Sequence, residues 1–324
     1  MAKRDLTVLF CSVGPRAELV ECFRSAAQVL GLSLRVLATE EEPEASAGCR
    51  VADKFFRVPS STSPAKIKAL IKICRSEGVS LLVPIVGGDL VPLSESVAAF
   101  RAVGTRVVVS SRAVVQLERD KLRGAEWLAA AGITIPHTTT LSDFLADPDR
   151  LDWPVIAKPV AGSSSVGILR PRWPDTLRQI AGRDYVVQEL WQGREYTVNM
   201  FFDRRGRWRC AVPHLRMEVR TGEVWKGRTE RVPILHRLAQ RLGETLRGAR
   251  GPISFQAIIN EEGKAAVLEL NARFGGGYPL THQSGANFAR WLLEETAGLK
   301  SSANDTWVEG VTMLRYDAAV FFTE

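Results

Sequence analysis

The chain has 324 residues, of which 45% are hydrophobic and 24% charged, and its formal net charge is +7. This composition is ordinary for a globular protein, and the length allows two or three packed lobes. No apolar run approaches the roughly 20 residues that span a bilayer, and the apolar run at residues 6–10 is too short for a signal peptide. We therefore expect a cytoplasmic protein that does not engage a membrane.

The excess of basic residues suits a protein that binds a polyanionic nucleotide. The basic cluster at residues 204–209 lies between two strand-like runs, which is typical of a solvated hairpin turn. A nucleic-acid partner is therefore not expected. The five cysteines are scattered without a CxxC pair, so we expect buried thiols and no disulfide framework.

The first third of the chain alternates strand-like runs with helical patterns. Strands are predicted over residues 6–11, 34–38, 81–86 and 107–110, and helices over 17–30 and 67–75. This order implies parallel strands joined by crossover helices, as in a small doubly wound α/β domain. Residues 12–14 lack the full glycine fingerprint of a dinucleotide fold. They could cradle an anion at the N-terminus of the first helix or form only a tight turn, and both interpretations stay open.

The remainder of the chain is richer in strands and indicates an α+β region. A helix is predicted over residues 120–131, because Gly132 and Pro136 stop it. Further strands are predicted over residues 153–159, 185–190 and 195–202. The first two of these strands flank a loop of small residues, AGSSSVG, at positions 161–167.

Lys158 stands at the end of a predicted strand and directly before the small-residue loop. An unpaired ammonium group is costly to bury, so this lysine is expected to serve a ligand. The loop offers backbone N–H groups and the hydroxyls of Ser163, Ser164 and Ser165. Lysine and loop together predict phosphate binding, although no GxxxxGK[ST] sequence occurs and a flexible linker is the simpler alternative for the loop.

Residues 188–190 and Glu195 form a second candidate group. An extended segment offers backbone N–H and C=O groups to the edge of an adenine ring, and a carboxylate a few residues later can accept hydrogen bonds from ribose hydroxyls. Because surface acids are common, this pattern taken alone is unspecific.

A third group lies on a predicted hairpin whose turn spans residues 261–264. With a four-residue turn, Gln256 falls opposite Glu269, and an odd loop length or a bulge would break that parity. Because side chains alternate along a strand, Asn271 shares the face of Glu269. Three oxygen-bearing side chains would then converge as the hard ligands that Mg²⁺ prefers. The alternative is a solvated sheet face.

The second strand of this hairpin leads through VLELNAR at residues 267–273, which is the most informative part of the chain. Leu268 and Leu270 are expected to point into a core. Arg273 supplies a fork for phosphate or carboxylate oxygens, and the glycines at 275–277 let a backbone pass close to a ligand. Metal and phosphate binding is therefore the first functional hypothesis.

In their order along the chain these motifs resemble those of the ATP-grasp superfamily, most of all its carbamoyl-phosphate-synthase-like carboxylate–amine ligases. The matching motifs are DK at 120–121, VIAKP at 155–159, the glycine/serine loop, QEL with GRE at 188–195, FQA at 255–257 and ELNAR at 269–273. The resemblance implies an ATP-grasp fold of α/β and α+β class behind a Rossmann-like pre-ATP-grasp domain. The implied boundaries are 1–112 for that domain, 113–190 for the small lobe and 191–324 for the large lobe with the metal site.

The resemblance also implies a nucleotide-binding role for several matched residues. Lys121 and Lys158 would hold the phosphates of ATP. Glu189 and Leu190 would meet adenine through their backbones, and Glu195 would bind ribose. The loop that closes over the phosphates would contribute Ser163, Ser164 and Ser165.

The same resemblance implies a metal site and a catalytic pair. Gln256, Glu269 and Asn271 would ligate Mg²⁺, with Mn²⁺ as an alternative. Arg273 would stabilise the transferring phosphoryl group and the acyl phosphate, and Lys158 would assist it.

The implied activity is ATP-dependent ligation, in which ATP phosphorylates a carboxylate and an amine then attacks the acyl phosphate, releasing phosphate. The partners would be small-molecule acids and amines, and a homodimer is one option because dimers are common in this family. Two alternatives stay open, an ATP-grasp kinase or phosphotransferase and a non-catalytic nucleotide-binding regulator. The regulator is disfavoured because such proteins usually lose one of Lys158, Glu269 and Asn271. A single copy without an amidotransferase domain argues against carbamoyl phosphate synthesis.

Substrate contacts are expected from two further stretches. Arg216, Glu218 and Arg220 share one face of a predicted strand, which either contacts substrate or is solvated. Residues 278–283 form the other stretch, and its His282 either faces the site or is structural. Residues 87–89, GGD, stand where the family often has an acidic pair, so no substrate role is assigned to them.

Overall fold

The computed structural model describes residues 5–161 and 167–323. Strands and helices alternate through its N-terminal third. They are β1 (Asp5–Cys11), α1 (Ala17–Val29), β2 (Ser33–Glu40), α2 (Ala47–Arg50), β3 (Lys54–Arg57), α3 (Ala65–Glu77), β4 (Leu81–Pro84), α4 (Leu90–Glu95), α5 (Val97–Ala102) and β5 (Arg106–Val107). The five strands are parallel, in the order β3-β2-β1-β4-β5, which confirms the predicted doubly wound domain.

One strand of this domain, β3, is absent from the sequence prediction. It is a four-residue edge strand, KFFR, with half-buried or exposed side chains, so no apolar run marks it. The strand predicted over residues 107–110 is shorter and begins at Arg106. After α1, Gly31 takes a left-handed conformation with φ of 64°, which glycine adopts without strain.

Further helices and the strands of a small antiparallel sheet follow. They are α6 (Arg112–Arg119), α7 (Lys121–Ala130), β6 (Thr138–Thr140), α8 (Leu141–Ala146), β7 (Val155–Pro159), α9 (Pro174–Arg178) and β8 (Tyr185–Glu189). The sheet has the order β6-β8-β7 and a core of its own around Phe144, Leu177 and Val187. Asp120 caps α7, because its side chain accepts a hydrogen bond from the N–H of Arg123. The predicted start of this helix is therefore confirmed.

The C-terminal half is built on a six-stranded antiparallel sheet. Its elements are β9 (Arg194–Phe202), β10 (Trp208–Arg220), β11 (Glu223–Thr229), α10 (Pro233–Thr245), β12 (Gly251–Ile259), β13 (Ala265–Asn271), α11 (Tyr278–Gln283), α12 (Phe288–Thr296) and β14 (Thr312–Leu314). The order is β13-β12-β9-β10-β11-β14. The basic cluster between β9 and β10 forms the predicted turn, in which Asp203 accepts hydrogen bonds from the N–H groups of Arg205 and Arg207.

Alternation along the strands of this large sheet decides which side chains are free to build a site. On β12, Ile253, Phe255 and Ala257 are buried in the core, so Ser254 and Gln256 lie on the opposite face. On β9 the alternation is the same, and the core side chains are Tyr196, Val198 and Met200. Each fully buried side chain of this kind stabilises the fold by about 1.5–3 kcal/mol relative to exposure. One face of the large sheet therefore packs in the core, and the opposite face can carry polar side chains.

Helices α6 and α7 pack against β13 and contribute Val115 and Leu128 to the large core, outside the core of the small sheet. The small sheet itself extends from Thr138 to Glu189. The boundaries expected at residues 112 and 190 stay predictions. No helix in the described part of the chain is long and apolar enough to cross a membrane.

Candidate active site

A cavity of about 480 Å³ lies between the small sheet and the polar face of the large sheet, a size typical of small-molecule sites. Its lining includes Lys121, Lys158, Glu189, Leu190, Glu195, Gln256, Glu269, Asn271 and Arg273. These are all the residues predicted to bind nucleotide or metal or to act in catalysis that the structure describes. Ser163, Ser164 and Ser165, expected in the closing loop, lie outside the described residues.

The β12–β13 hairpin places Gln256 opposite Glu269, as predicted, but through two departures that cancel. Pairing at the turn begins with Ile259 opposite Ala265, which leaves five residues in the turn where four are predicted. That odd length alone would put Gln256 on the wrong face. A β-bulge between Gln256 and Ala257 restores the pairing.

The same bulge changes the position of Leu268. The expectation that Leu268 points into the core is wrong, because its side chain is half-buried and lines the cavity. Leu270 is buried in the core, as predicted. Ile156 and Ile258 also line the cavity, so an apolar surface lies beside the polar groups.

Glu269, Asn271 and Arg273 form a chain of hydrogen bonds at the end of β13. The Asn271 Nδ2 donates to Glu269 Oε1 at 3.1 Å, and the Arg273 Nη2 donates to Asn271 Oδ1 at 3.0 Å. The described residues contain no group of three or more His, Cys, Asp or Glu side chains that could hold a metal ion. A metal bound by Gln256, Glu269 and Asn271 would therefore complete its coordination with phosphate oxygens or water, which is common for Mg²⁺.

Glu118, near the end of α6, joins this chain although the sequence alone does not single it out. Its Oε1 lies 3.2 Å from Arg273 Nε, and its Oε2 accepts a hydrogen bond from the Ala272 N–H at 2.5 Å. Burial raises the pKa of Glu118, and the charge of Arg273 opposes that rise. Gly87 gives the carboxylate room, because a Cβ at that position would overlap it. The only signal in the sequence is its place three residues before Lys121.

The two lysines predicted to bind phosphate reach the cavity from β7 and α7. Lys158 donates to the side-chain oxygen of Gln188 at 2.9 Å, and Lys121 donates to the Pro159 carbonyl at 3.0 Å. Burial lowers the pKa of both lysines, and the nearby Glu269 works against that shift. Because an anion would favour the charged forms of both groups, this part of the cavity is suited to a polyphosphate.

The end of β8 offers a different backbone donor from the expected one. The Leu190 N–H donates to the Pro154 carbonyl at 2.8 Å, and the Glu189 N–H donates to the His137 carbonyl at 3.0 Å. Trp191 also lines the cavity, and its backbone N–H has no backbone hydrogen-bond partner among the residues that the structure describes. The donor available to a ligand at this point is therefore Trp191.

Glu195 and Arg216 form an ion pair between β9 and β10, with 2.8 Å between Oε1 and Nε. The Arg216 side chain is only 6% exposed, and its Nε is not aligned for a hydrogen bond, whereas its Nη1 donates to Thr197 at 3.1 Å. A bulge that follows Arg216 breaks the predicted shared face of β10. Glu218 and Arg220 pair with each other at 2.8 Å and do not line the cavity.

Of the histidines near the cavity, His214 is buried and His282 is half-buried, and burial lowers the pKa of both. His214 is fully buried, and its Nε2 has no hydrogen-bond partner in the described part of the chain. Burial, together with Arg216 and Arg315, lowers the pKa of His214 to about 3. His282 contacts the Tyr278 hydroxyl at 3.3 Å and does not line the cavity, which favours its structural interpretation.

The turn after β1 binds its own chain. The Val13 N–H donates to the Thr39 carbonyl at 3.4 Å, and the Gly14 N–H donates to the Glu40 carboxylate at 2.6 Å. These N–H groups are therefore engaged, which favours the tight-turn interpretation over the anion cradle.

Asp89, the acid of the GGD sequence, is 2% exposed and lies in a polar network within the first domain. Its carboxylate is 2.7 Å from the Lys66 Nζ and accepts hydrogen bonds from the hydroxyls of Ser12 and Ser61, each at 2.7 Å. Lys66 also donates to Ser12 at 2.8 Å. Because both charges are paired inside the domain, removing either partner would leave an uncompensated buried charge and destabilise the fold.

Comparisons with known families identify the class of protein. Residues 8–108 match the family described as "PylC-like, N-terminal domain", and residues 182–318 match the family described as "ATP-grasp in the biosynthetic pathway with Ter operon". The second match, together with the fold, supports an ATP-grasp protein. The ATP-grasp fold expected behind a Rossmann-like first domain is confirmed.

A curated relative is the formate-dependent phosphoribosylglycinamide formyltransferase of Synechococcus sp. (strain RCC307). It is 28% identical over 157 residues, which are 48% of this chain and 37% of the relative. The chain therefore matches little more than a third of that protein's length.

Two solved structures share the fold over nearly the whole chain. The biotin carboxylase domain of Hydrogenobacter thermophilus 2-oxoglutarate carboxylase, solved with MgADP and bicarbonate, has a TM-score of 0.74 at 17% identity, covering 94% of this chain and 72% of its own. The N5-carboxyaminoimidazole synthetase of Staphylococcus aureus has a TM-score of 0.70 at 14% identity, covering 94% and 80%. At these identities the likeness shows the fold.

Proposed function

We propose that the protein is an ATP-dependent ligase that activates a carboxylate as an acyl phosphate and couples it to an amine. This proposal is supported by one observation: Lys121 and Lys158 line the same cavity as the hydrogen-bonded chain of Glu269, Asn271 and Arg273. Positive charge for phosphates, hard oxygen ligands and an arginine fork are the groups that phosphoryl transfer to a carboxylate requires. The Synechococcus relative is named for a formate-dependent formyl transfer to phosphoribosylglycinamide, which agrees with this class of reaction.

In the proposed complex, adenine lies between the two sheets. The Glu189 carbonyl and the Trp191 N–H would bind its edge, because the Leu190 N–H is already bonded to Pro154. Leu268 would pack on the face of the ring, since the bulge turns this side chain into the cavity. An apolar platform with two backbone groups is a common arrangement for a flat heterocycle.

The sugar and the phosphates would extend from there toward β13. Glu195 would accept hydrogen bonds from ribose hydroxyls and would share its charge with Arg216. Lys121 and Lys158 would hold the phosphates, and the closing role of the loop at residues 163–165 stays a prediction. Binding polyphosphate would favour the charged forms of both lysines, whose pKa values burial lowers.

Gln256, Glu269 and Asn271 would hold Mg²⁺, with Mn²⁺ as the alternative. The donor set fits, because one carboxylate and two amide oxygens share one face of the hairpin and Mg²⁺ commonly takes one or two carboxylates and keeps phosphate oxygens as further ligands. When bound, the ion would offset phosphate charge and polarise the phosphoryl group.

The reaction needs no nucleophilic side chain. A carboxylate oxygen of the acid attacks the γ-phosphorus of ATP, and the bond to the ADP oxygen breaks. The amine nitrogen then attacks the acyl carbon, phosphate leaves and the nitrogen loses a proton. Arg273, held by Glu118 and hydrogen-bonded to Asn271, is placed to stabilise the oxygens that carry charge in both steps, and Lys158 assists it.

The test is phosphate release from MgATP over a panel of small carboxylic acids, each with and without an amine. Ligation predicts release that requires both partners, with one amide formed per ADP. Lys158→Met should abolish it, whereas Lys72→Met, on the exposed side of α3, should not. ATP hydrolysis with no amide product for any acid–amine pair would contradict the proposal.

The same assay separates the two alternatives. A phosphorylated acid that accumulates without an amine would indicate a kinase or phosphotransferase. MgATP binding without turnover of any acid would indicate a nucleotide-binding regulator. Small-molecule acids and amines as partners, a cytoplasmic location and a homodimer remain parts of the proposal.

A further inference from the structure

Arg170 is a cavity cation to which the proposed function gives no role. It lies in the segment before α9, and its side chain is exposed and lines the cavity. The ion pairs and hydrogen bonds within residues 5–161 and 167–323 include none made by its guanidinium group. The other arginines of the lining differ, because Arg216 is paired with Glu195 and Arg273 with Glu118. A charged group that no described carboxylate holds therefore faces the cavity.

The pairing of β7 with this segment determines the face on which Arg170 lies. Ala157 and Leu169 form an antiparallel bridge, with reciprocal backbone hydrogen bonds of 2.9 and 2.8 Å. Their side chains pack in the core of the small sheet. Because successive side chains alternate in face, Lys158 and Arg170 point to the opposite side, and both line the cavity. Arg170 is thus the diagonal neighbour of Lys158 across the ladder, at a Cα separation of about 7–8 Å.

These two neighbouring cations repel each other. The charges of Lys121 and Arg170 add to the effect of burial in lowering the pKa of Lys158, and the carboxylates of Glu269 and Glu195 work against it. Like charges on neighbouring positions of a ladder destabilise a sheet, so the stability of the fold does not account for this pair. A polyanion that contacts both side chains would remove the repulsion.

We propose that Arg170 binds the phosphates of the nucleotide together with Lys158. Arginine presents several N–H donors to phosphate oxygens, and its long side chain reaches an anion that a neighbouring lysine also contacts. This inference rests on the proposed function, because it takes the cavity as the nucleotide site. Stacking of the planar guanidinium group on the adenine ring is the alternative role for an arginine at this position, and the test separates the two.

The test measures the affinity of the full chain for MgADP by isothermal titration calorimetry. Titrations are run at about 0.1 M and about 1 M salt, between which the screening length falls from about 10 to about 3 Å. Arg170→Gln removes the charge, whereas Arg170→Lys keeps the charge and removes the planar group. Arg172→Gln is the matched control for net charge, because Arg172 is exposed and is not among the lining residues.

At the lower salt concentration we expect Arg170→Gln to bind MgADP about tenfold more weakly than the wild type. A hydrogen bond to a charged group is worth roughly a tenfold to hundredfold change in affinity, and the exposure of Arg170 places the effect at the lower end. The loss should shrink to about threefold or less at the higher salt concentration. Arg170→Lys should keep most of the wild-type affinity, and Arg172→Gln all of it.

Unchanged MgADP affinity in Arg170→Gln would overturn the inference. A loss that persists at high salt, or that Arg170→Lys shares, would also overturn it and would indicate stacking on adenine. Unchanged thermal unfolding of the variants shows that they are folded. The outcome is separate from that of the ligase assay. MgADP binding that depends on Arg170, without amide formation, keeps this inference and removes the ligase, whereas amide formation with an MgADP affinity that does not depend on Arg170 does the reverse.

Discussion

The two ends of the cavity are both basic, but they are built differently. The lysine end, defined by Lys121 and Lys158, bonds to neutral oxygens of Pro159 and Gln188. At the arginine end, Arg273 lines the cavity and is held by Glu118 at 3.2 Å. Arg16 and Arg315, which are not among the lining residues, are also paired with carboxylates. An ammonium group on a flexible stem can follow a phosphate, whereas a guanidinium group held by a carboxylate is fixed in direction.

This difference indicates a division of work. Lysine is a compact charge on a flexible stem and suits phosphates that arrive, transfer and leave. An oriented guanidinium group suits a planar carboxylate and the oxygens of a transition state, which need donors placed in advance. Substitutions at the two ends should therefore change different kinetic parameters. The experiments below run from the largest expected effect to the smallest.

The largest loss of turnover is expected from a substitution of Glu269, a predicted metal ligand. Glu269→Gln removes the only carboxylate of the predicted metal set, so MgATP turnover should fall about a thousandfold or more, since a catalytic metal supplies several kcal/mol. Steady-state kinetics at rising Mg²⁺ concentration would show the loss and a raised metal requirement. Glu262→Gln, in the exposed turn of the same hairpin, is the matched control. Normal turnover in Glu269→Gln would show that the metal assignment is wrong.

A smaller effect is expected at the arginine end from Arg273→Lys. The charge is kept, but the fork that contacts Asn271 and Glu118 is lost, so kcat should fall about a hundredfold with little change in the KM for ATP. Arg290→Lys, on α12 and paired with Glu294, serves as the control. A change confined to the KM for ATP would mean that Arg273 binds nucleotide and belongs to the lysine end.

Glu118→Gln tests whether orientation, apart from charge, distinguishes the arginine end. Glutamine can still accept the Ala272 N–H but no longer holds Arg273 electrostatically, so kcat should fall about tenfold while MgADP affinity stays the same. Glu126→Gln, on the exposed side of α7, controls for the loss of one negative charge. Full activity of Glu118→Gln would show that Arg273 is positioned without Glu118.

The fold follows from the sequence wherever an element is long and regularly patterned. The alternation of apolar strands and helices at the start of the chain predicts β1, α1, β2 and α3, and the order of later motifs predicts which residues meet in the cavity. The edge strand β3 is not predicted, because its four residues are only half-buried or exposed. Patterning reports burial, so an element with little burial leaves little signal.

The details of the site depend on contacts that no local pattern contains. The bulge beside Gln256 turns Leu268 into the cavity. No turn residue or spacing in the sequence predicts this bulge. Glu118 matters because α6 packs on β13, a contact between residues more than 150 positions apart in the sequence. The predicted pairing of Gln256 with Glu269 is confirmed, but the reason given for it from the loop length is wrong.

The smallest effect concerns His214, which lies under the arginine end. Its pKa is lowered to about 3 by burial and by Arg216 and Arg315, below the usual 6.5 of the unfolded chain. Between these two pKa values His214 is protonated in the unfolded state and neutral in the native state. Its contribution to the free energy of unfolding is therefore fully present above pH 6.5 and is lost as the pH falls. From pH 6.5 to 5.5 the loss attributable to this group is about 1 kcal/mol. In urea titrations, His214→Gln should lose that much less stability than the wild type over this interval, while the two curves run parallel above pH 7.5. Equal losses in both proteins would show that His214 accepts a proton in the folded state, and that burial with Arg216 and Arg315 does not hold it neutral.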